Sequence, residues 1–185
     1  LPPSLPPSFF QIMAQMLELR PGGPSAAYLS LFPPLLSPAL WENRGNVPGL
    51  VRLLEAYLRK GANETVGSNP QQLEALLGVF QKLVASRATE DHAFQLLIGI
   101  IEFLPVATFS KHLGTIFQLV LMRMQSAKTA RFAMSFIFFL GVFVSKHGPA
   151  LAVQALGALQ PGLFWQLVEQ VWLPHVGKWR TLDGS

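Results

Sequence analysis

The stretch LSPALWENRGNVPGLVRLLEAYLRKG, residues 36–61, places two apolar segments on either side of a turn rich in Asn, Gly and Pro. After the turn, apolar residues recur at the i, i+3, i+4 and i+7 spacing of one helix face. They are Val47, Leu50, Val51, Leu54, Tyr57 and Leu58. Arg52, Glu55 and Arg59 fall opposite them, with Glu55 four residues before Arg59. The pattern predicts a helix with one buried face and one solvated face, on which Glu55 pairs weakly with Arg59.

The residues at the ends of this helix predict its limits. Asn46 is a favourable N-cap, and Pro48 is tolerated in the first turn, where its missing N–H would have no partner. Gly61 can adopt the left-handed conformation that ends many helices, and Gly45 is predicted to close the helix before the turn. The stretch therefore predicts two helices joined by a short turn.

The composition is unusually apolar for a chain of this size. Of 185 residues, 50% are hydrophobic and only 13% are charged, whereas soluble domains are about one quarter charged. The apolar run 133–144 is bounded by Arg131 and Lys146, so it is shorter than the roughly 20 residues that a transmembrane helix needs. The N-terminus carries no signal-peptide pattern. We therefore expect no membrane insertion, and we interpret the chain as part of a larger protein whose apolar faces meet neighbouring segments.

Further helical patterns follow along the whole chain, and no alternating pattern predicts a strand. The predicted helices cover 70–86, 90–104, 111–125 and 128–146, with short helices after Pro149 and after Pro161. Asn69 and Thr89 are predicted to cap two of them, and Pro105 is predicted to end one.

Aromatic landmarks recur at Phe32, Phe80, Phe117 and Trp165. Their spacing is close to the period of about 40–47 residues that is typical of HEAT and armadillo repeats. The sequence thus predicts an all-α fold, an α-α superhelix of about four helix pairs. The expected organisation is a proline-rich leader at 1–8, a repeat segment at 9–180 and a tail at 181–185.

In such repeats, large aromatic side chains pack one helix against the next. We expect this packing role for Trp41, Phe80, Phe117 and Phe136. Trp165, Trp172 and Trp179 are spaced by seven residues, so an unbroken helix would align them as an aromatic docking strip. Packing between repeats is the favoured alternative, because Pro174 interrupts the series.

Basic residues are concentrated in one part of the chain. The formal net charge is +4, and no acidic residue lies between Glu102 and Glu169. This interval contains five basic residues, namely Lys111, Arg123, Lys128, Arg131 and Lys146. Arg123, Lys128 and Arg131 surround a predicted turn and are our candidate contacts for an acidic partner. The alternative is a solvated rim, because isolated surface charges generally contribute little.

No catalytic, cofactor-binding or metal-binding motif is present in the sequence. It has no Walker loop, G-x-G-x-x-G, H-E-x-x-H or G-x-S-x-G pattern. The absence of cysteine removes disulfides and thiolate zinc sites. The histidines are far apart, near predicted helix ends, at His92, His112, His147 and His175. We therefore predict no enzyme activity, no cofactor and no metal site.

Three strings together carry a resemblance to a known family. They are YLSLFPPLLSPALWENRGNVPGLVRLLEAYLRKG (28–61), LLGVFQKLVASRATEDHAFQLLIGIIEFLP (76–105) and MRMQSAKTARFAMSFIFFLGVFVSKHG (122–148). From about residue 9 to residue 176, the sequence resembles the C-terminal part of the importin-α re-exporters, the CAS exportins of the importin-β superfamily.

The resemblance implies a HEAT-repeat karyopherin that shuttles through the nuclear pore between nucleus and cytoplasm. It implies importin-α, the GTP-bound Ran GTPase and nuclear pore proteins as partners, with no nucleic acid. The alternative function is that of a helical-repeat scaffold that binds nucleic acid or another acidic partner.

Overall fold

The computed structural model describes residues 5–126 and 129–174, and every regular element within these ranges is helical. The α-helices in chain order are α1 Pro7–Leu19, α2 Ala26–Leu35, α3 Val47–Ala62, α4 Pro70–Val84, α5 Glu90–Phe103, α6 Val106–Phe109, α7 Leu113–Ser126, α8 Ala130–His147, α9 Pro149–Gly157 and α10 Leu163–Leu167. Three-ten helices cover Pro38–Trp41, Arg44–Asn46 and Ser110–His112, and π-helical turns cover Asn63–Gly67 and Val168–Trp172. The predicted all-α class is confirmed.

The chain forms two compact units, of which the first ends at Phe109 and the second begins at Ser110. Helix α1 begins at Pro7, inside the expected leader 1–8. The expected tail 181–185 lies outside the described residues, and the expected domain limits stay predictions.

Helix α3 is the central helix of the first unit and packs against both α1 and α5. The six apolar residues that were predicted to face the core are all buried, with Leu50, Val51 and Tyr57 at 0% exposure. Leu53 and Ala56 are buried as well, because α3 has a neighbouring helix on each of two sides. The predicted face is confirmed, and the buried surface is wider than the sequence pattern indicated.

The ends of α3 differ from the prediction. Asn46 has helical backbone angles, and its side chain caps nothing because it is buried within the three-ten helix Arg44–Asn46. The residue that caps this three-ten helix is Asn43, whose Oδ1 accepts a hydrogen bond from Gly45 N at 3.0 Å. The predicted capping by Asn46 and the helix end at Gly45 are therefore wrong.

Gly61 also has a different role from the one predicted. Its φ of −163° is extended rather than left-handed, and the chain continues into the π-helical turn. A Cβ atom at Gly61 would lie 2.6 Å from the ring of Pro24. Glycine at this position provides room for Pro24.

Helices α4 and α5 form an adjacent packed pair. Asn69 caps α4 as predicted, because its Oδ1 accepts hydrogen bonds from the backbone N–H groups of Gln71 and Gln72. The predicted capping of α5 by Thr89 is wrong, since the Thr89 hydroxyl donates to the Leu83 carbonyl oxygen at 2.7 Å. Helix α5 ends before Pro105, as predicted.

The second unit is built on α7, α8 and α9, with α10 packed against α9. Rings of Phe117 on α7 and Phe143 on α8 lie 5.9 Å apart, and Arg123 lies 5.9 Å from the ring of Phe132. Because the later residue of α7 meets the earlier residue of α8, the two helices are antiparallel.

Helix α8 is the one helix among the described residues that is long and apolar enough to cross a membrane, judged by length and composition. The sequence argument that this segment is too short is wrong, because the helix continues through Arg131 and Lys146. Its buried residues are Phe132, Ala133, Phe136, Phe139, Leu140 and Phe143. These residues form one side of the helix.

Candidate partner-binding surface

The structure places two of the three candidate contact residues at the same end of the α7–α8 pair. Arg123 is half-buried in the last turn of α7, and Arg131 is exposed in the first turn of α8. Lys128, the third, lies outside the described residues. The sequence prediction that Arg123 and Arg131 are close to a helix-helix turn agrees with their positions, while their contact with a partner stays a prediction.

The Arg123 side chain is held against its own unit. Its guanidinium carbon lies 5.9 Å from the ring centroid of Phe132, within the range of a cation–π interaction. Since Phe132 is completely buried in the first turn of α8, this contact fixes the cation close to the helix start. Arg123 is therefore a positioned charge.

Arg131 is placed where a helix does not favour a positive charge. The Thr129 hydroxyl caps α8 by accepting a hydrogen bond from Phe132 N at 3.1 Å, so Arg131 follows directly in the first turn. The positive end of the helix dipole disfavours a cation at this position. The helix dipole therefore does not stabilise the charge of Arg131.

A second pair of cations lies at the opposite end of the same helix pair. Lys111 precedes α7 and Lys146 is in the last turn of α8, and both are exposed. Because α7 and α8 are antiparallel, these two residues mark the end away from Arg123 and Arg131. The acid-free part of the sequence thus becomes a helix pair that is basic at both ends.

The four predicted packing residues are all buried. Phe80 and Phe117 are 0% exposed, Phe136 is 1% exposed and Trp41 is 3% exposed. The indole Nε1 of Trp41 donates a hydrogen bond to the Leu35 carbonyl oxygen at 2.9 Å, which satisfies the polar atom of this buried ring. Their role in packing one repeat against the next stays a prediction.

Trp165 and Trp172 do not lie on one continuous α-helix. Trp165 lies on α10 and is 59% exposed, with its ring edge-on to Phe164 at 5.1 Å. Trp172 ends the π-helical turn Val168–Trp172, where the wider helix changes the angle between successive residues. Trp179 lies outside the described residues. The seven-residue spacing therefore does not place Trp165 and Trp172 on one α-helical stripe.

Polar contacts between helices of the first unit were not predicted from the sequence. Arg52 on α3 donates two hydrogen bonds to the Glu18 carboxylate on α1, at 3.2 and 2.8 Å. Gln95 Nε2 on α5 donates to Glu55 Oε2 at 2.7 Å. The guanidinium of Arg59 lies 5.7 Å from the ring centroid of Phe103.

The predicted solvated face of α3 is confirmed at Arg52 and Arg59, which are both exposed. Glu55 between them is half-buried and accepts the hydrogen bond from Gln95, and the charge of Arg59 also acts on it, in agreement with weak pairing. These contacts also change the ionisation of the two carboxyl groups. The hydrogen bond from Arg52 lowers the pKa of Glu18, whereas burial raises the pKa of Glu55. Helical periodicity could not show this, because the partners are on other helices.

The described residues contain no group of three or more His, Asp or Glu side chains that could hold a metal ion. His92 Nδ1 lies 3.3 Å from Gln95 Oε1, and the His147 ring lies 5.4 Å from that of Phe143. His175 lies outside the described residues. His92 and His147 thus have contacts typical of helix-end positions.

Comparison with known protein families identifies the family to which the chain belongs. The family model of the CAS/CSE protein C-terminus matches residues 5–183. The chain belongs to the CAS/CSE family. It is 41% identical over 172 residues to Exportin-2 of Oreochromis niloticus and 40% identical over 173 residues to Exportin-2 of Homo sapiens.

Each of these alignments covers 93% of the chain and 18% of the relative, so the chain spans less than one fifth of their length. It is also similar to a solved structure of the exportin Cse1 in its cargo-free, cytoplasmic state. That match has a TM-score of 0.81 and 31% identity, and it covers 89% of this chain and 17% of Cse1. The predicted resemblance and the HEAT-repeat fold are confirmed.

Proposed function

We propose that this chain is a segment of a nuclear transport receptor that carries importin-α from the nucleus to the cytoplasm together with GTP-bound Ran. The main support is the similarity to Exportin-2 across 93% of the chain, together with the match of the family model of the CAS/CSE protein C-terminus. The same reasoning proposes shuttling between nucleus and cytoplasm and contact with nuclear pore proteins. We propose no catalytic role and no cofactor.

The mechanism that we propose is coupling of two partners through helix packing. Helix pairs of a repeat protein can rotate slightly against their neighbours, so two ligands can stabilise the same arrangement. By linkage, Ran-GTP would then strengthen importin-α binding by the same factor by which importin-α strengthens Ran binding. Buried aromatic residues such as Phe117 and Phe136 stiffen the helix pair that this segment contributes.

A chimeric exportin tests this function directly. In Homo sapiens Exportin-2, this chain would replace the segment to which it is 40% identical. We expect the chimera to bind importin-α more tightly with GTP-loaded Ran than with GDP-loaded Ran, and to show the reciprocal effect on Ran. Unmodified Exportin-2 is the positive control. A stable chimera that binds importin-α equally with either form of Ran would overturn the proposal.

A second candidate function is supported by the charge distribution. The interval between Glu102 and Glu169 contains basic residues and no acidic ones, and its cations lie at both ends of the α7–α8 pair. This surface suits an acidic protein partner. Nucleic acid, which we do not expect as a partner, would be recognised by a steep loss of affinity with salt and by independence from Ran and GTP.

A further inference from the structure

The side of α8 opposite its buried face is an exposed apolar strip, which we call the α8 outer face. It comprises Arg131, Met134, Phe138, Val142 and Ser145, which follow one another at the three- and four-residue spacing of one helix side. Phe138 at its centre is 62% exposed, whereas Phe136 on the same helix is 1% exposed. Met134 and Val142 beside it are partly buried.

The informative feature is an exposed ring between two apolar side chains that are partly accessible to solvent. A single exposed apolar residue is ordinary, but a phenylalanine with two apolar neighbours on one helix side is typical of an interaction surface. Aromatic side chains also dominate the energetics of many protein interfaces. Phe138 is therefore a suitable anchor.

The strip has space next to this anchor. Gly141 lies one turn beyond Phe138, and a Cβ atom there would meet no other atom within 4 Å. A large residue at this position would fill the gap between Phe138 and Ser145. The open backbone leaves room for an apolar side chain of a partner.

The charges at its ends define which partner is complementary. Exposed Arg131 lies at one end and exposed Lys146 lies beside the other, in a part of the chain that has no acidic residue. At a rise of 1.5 Å per residue, Arg131 and Lys146 are about 22 Å apart along the helix. Such a strip matches a helix of similar length that has apolar residues on one side and acidic residues near both ends.

We propose that the α8 outer face binds an acidic amphipathic helix of a protein partner, with Phe138 as the apolar anchor and Arg131 and Lys146 as the charge contacts. The inference rests on the proposed function, since it names the chemistry of a partner segment for a transport receptor. A membrane surface is a less suitable occupant, because α8 already buries its other side within its unit and leaves only a narrow apolar strip.

The experiment measures binding of a defined probe to the 185-residue chain. The probe is a fluorescein-labelled synthetic helix of about 18 residues, about 27 Å long, with Leu on one side and Glu on the other. A peptide with Lys in place of Glu is the charge control. Fluorescence anisotropy is recorded for the wild type, Phe138→Ser, Val142→Glu and Arg131→Glu. Ile12→Ser and Arg87→Glu are matched controls, because Ile12 is 57% exposed on α1 and Arg87 is exposed in the first unit.

We expect the Glu peptide to bind the wild type and the Lys peptide not to bind. Phe138→Ser should weaken binding about tenfold, which corresponds to about 1.4 kcal/mol, and Val142→Glu should have a similar effect. Arg131→Glu should weaken binding and reduce its dependence on salt. The two control variants should bind like the wild type, and circular dichroism should show equal helicity for all variants.

Three results would overturn the inference. The first is equal binding of both peptides to the wild type, and the second is an equal loss of peptide binding in Ile12→Ser and Phe138→Ser. The third is failure of the Glu peptide to bind the wild type. Sedimentation with phosphatidylserine vesicles and analytical ultracentrifugation complete the test. If Phe138→Ser removes vesicle binding or self-association while peptide binding persists, the occupant is a lipid surface or a second copy, and the inference is wrong.

The outcome is separable from that of the chimeric exportin. If the chimera fails while the Glu peptide binds through Phe138, the proposed function is wrong and the surface assignment stands. If the chimera transfers Ran-dependent importin-α binding while the peptide does not bind, the surface assignment alone is wrong.

Discussion

Gly49 of α3 lies directly against the carbonyl oxygen of Pro7 in α1, so that a Cβ atom at Gly49 would be 2.9 Å from that oxygen. It would also be 3.1 Å from the Phe10 Cβ atom. Both distances are shorter than ordinary van der Waals contacts, and the nearest atom belongs to the backbone, which moves less easily than a side chain. The close packing of α1 on α3 therefore depends on the absence of a side chain at this position.

Replacing Gly49 by Ala should destabilise the first unit by about 1–3 kcal/mol, the usual cost of overpacking. The matched control is Gly78→Ala in α4, where a Cβ atom would meet nothing within 4 Å. That substitution should stabilise the protein by about 0.5–1 kcal/mol, because alanine is the better helix former. Urea denaturation followed by circular dichroism measures both. Equal effects of the two substitutions would contradict the role of Gly49.

Replacing Phe136 by Ala should cost about 3–5 kcal/mol of stability, because a buried ring is removed from the core of the second unit. Phe138→Ala on the same helix should cost less than about 1 kcal/mol, since that ring is 62% exposed. In the chimeric exportin, Phe136→Ala should weaken the coupling between importin-α and Ran more than it weakens the binding of either alone. Calorimetric titration of each partner with and without the other measures the coupling. An equal loss in all titrations would exclude the packing mechanism.

Glu55 should make stability depend on pH. Burial raises its pKa in the folded state, so its favourable contribution is complete below the unfolded pKa and is lost as pH rises through the folded pKa. Glu55→Gln removes this loss and keeps an oxygen that can accept the hydrogen bond from Gln95. We expect the variant to gain stability relative to the wild type between about pH 4 and pH 7, as measured by urea denaturation at several pH values.

Glu18 is a control for Glu55, because folding shifts its pKa in the opposite direction. The hydrogen bond from Arg52 lowers its pKa, so its contribution is present above the unfolded pKa and is lost as pH falls through the folded pKa. Glu18→Gln should therefore lose stability relative to the wild type at pH 7, and the difference should disappear in acid. If both variants changed stability at pH 7 in the same direction, the opposite pKa shifts of Glu18 and Glu55 would be refuted.

Reversing the charges of Arg123, Lys128 and Arg131 together should slow association with an acidic partner several-fold and flatten its dependence on salt. Stopped-flow measurements on the chimeric exportin with importin-α and Ran-GTP give the rates. Arg87→Glu, which changes an exposed cation of the first unit, is the control. Unchanged rates and an unchanged salt slope for the triple variant would leave the solvated rim as the correct interpretation.

The isolated chain should self-associate at micromolar concentration. Helix α1 exposes Ile12, Met16 and Leu19 at 57%, 60% and 76%, and their spacing places them on one side of the helix. Apolar faces of repeat proteins are normally covered by a neighbouring repeat. Changing all three to Gln should convert the associated species to a monomer in sedimentation velocity. A wild-type chain that sediments as a monomer would contradict this expectation.

The sequence by itself determined the features that depend on neighbours along the chain. Capping by Asn69, the end of α5 before Pro105 and the buried face of α3 were all correctly predicted. Each of these involves residues within a few positions of one another, because helix hydrogen bonds and helix faces repeat every three or four residues. The three sequence strings at 28–61, 76–105 and 122–148 were likewise sufficient to predict the family.

Only the tertiary structure decided which residues meet across helices. Arg52 and Glu55 had suitable partners within α3, but the folded chain pairs them with Glu18 and Gln95, which are far away in sequence. The tertiary structure also decided the burial of Phe136 and the exposure of Phe138 on α8, a helix that is apolar nearly all round. Periodicity gives no reason to bury one of these rings and expose the other, because that choice depends on which side packs within its unit.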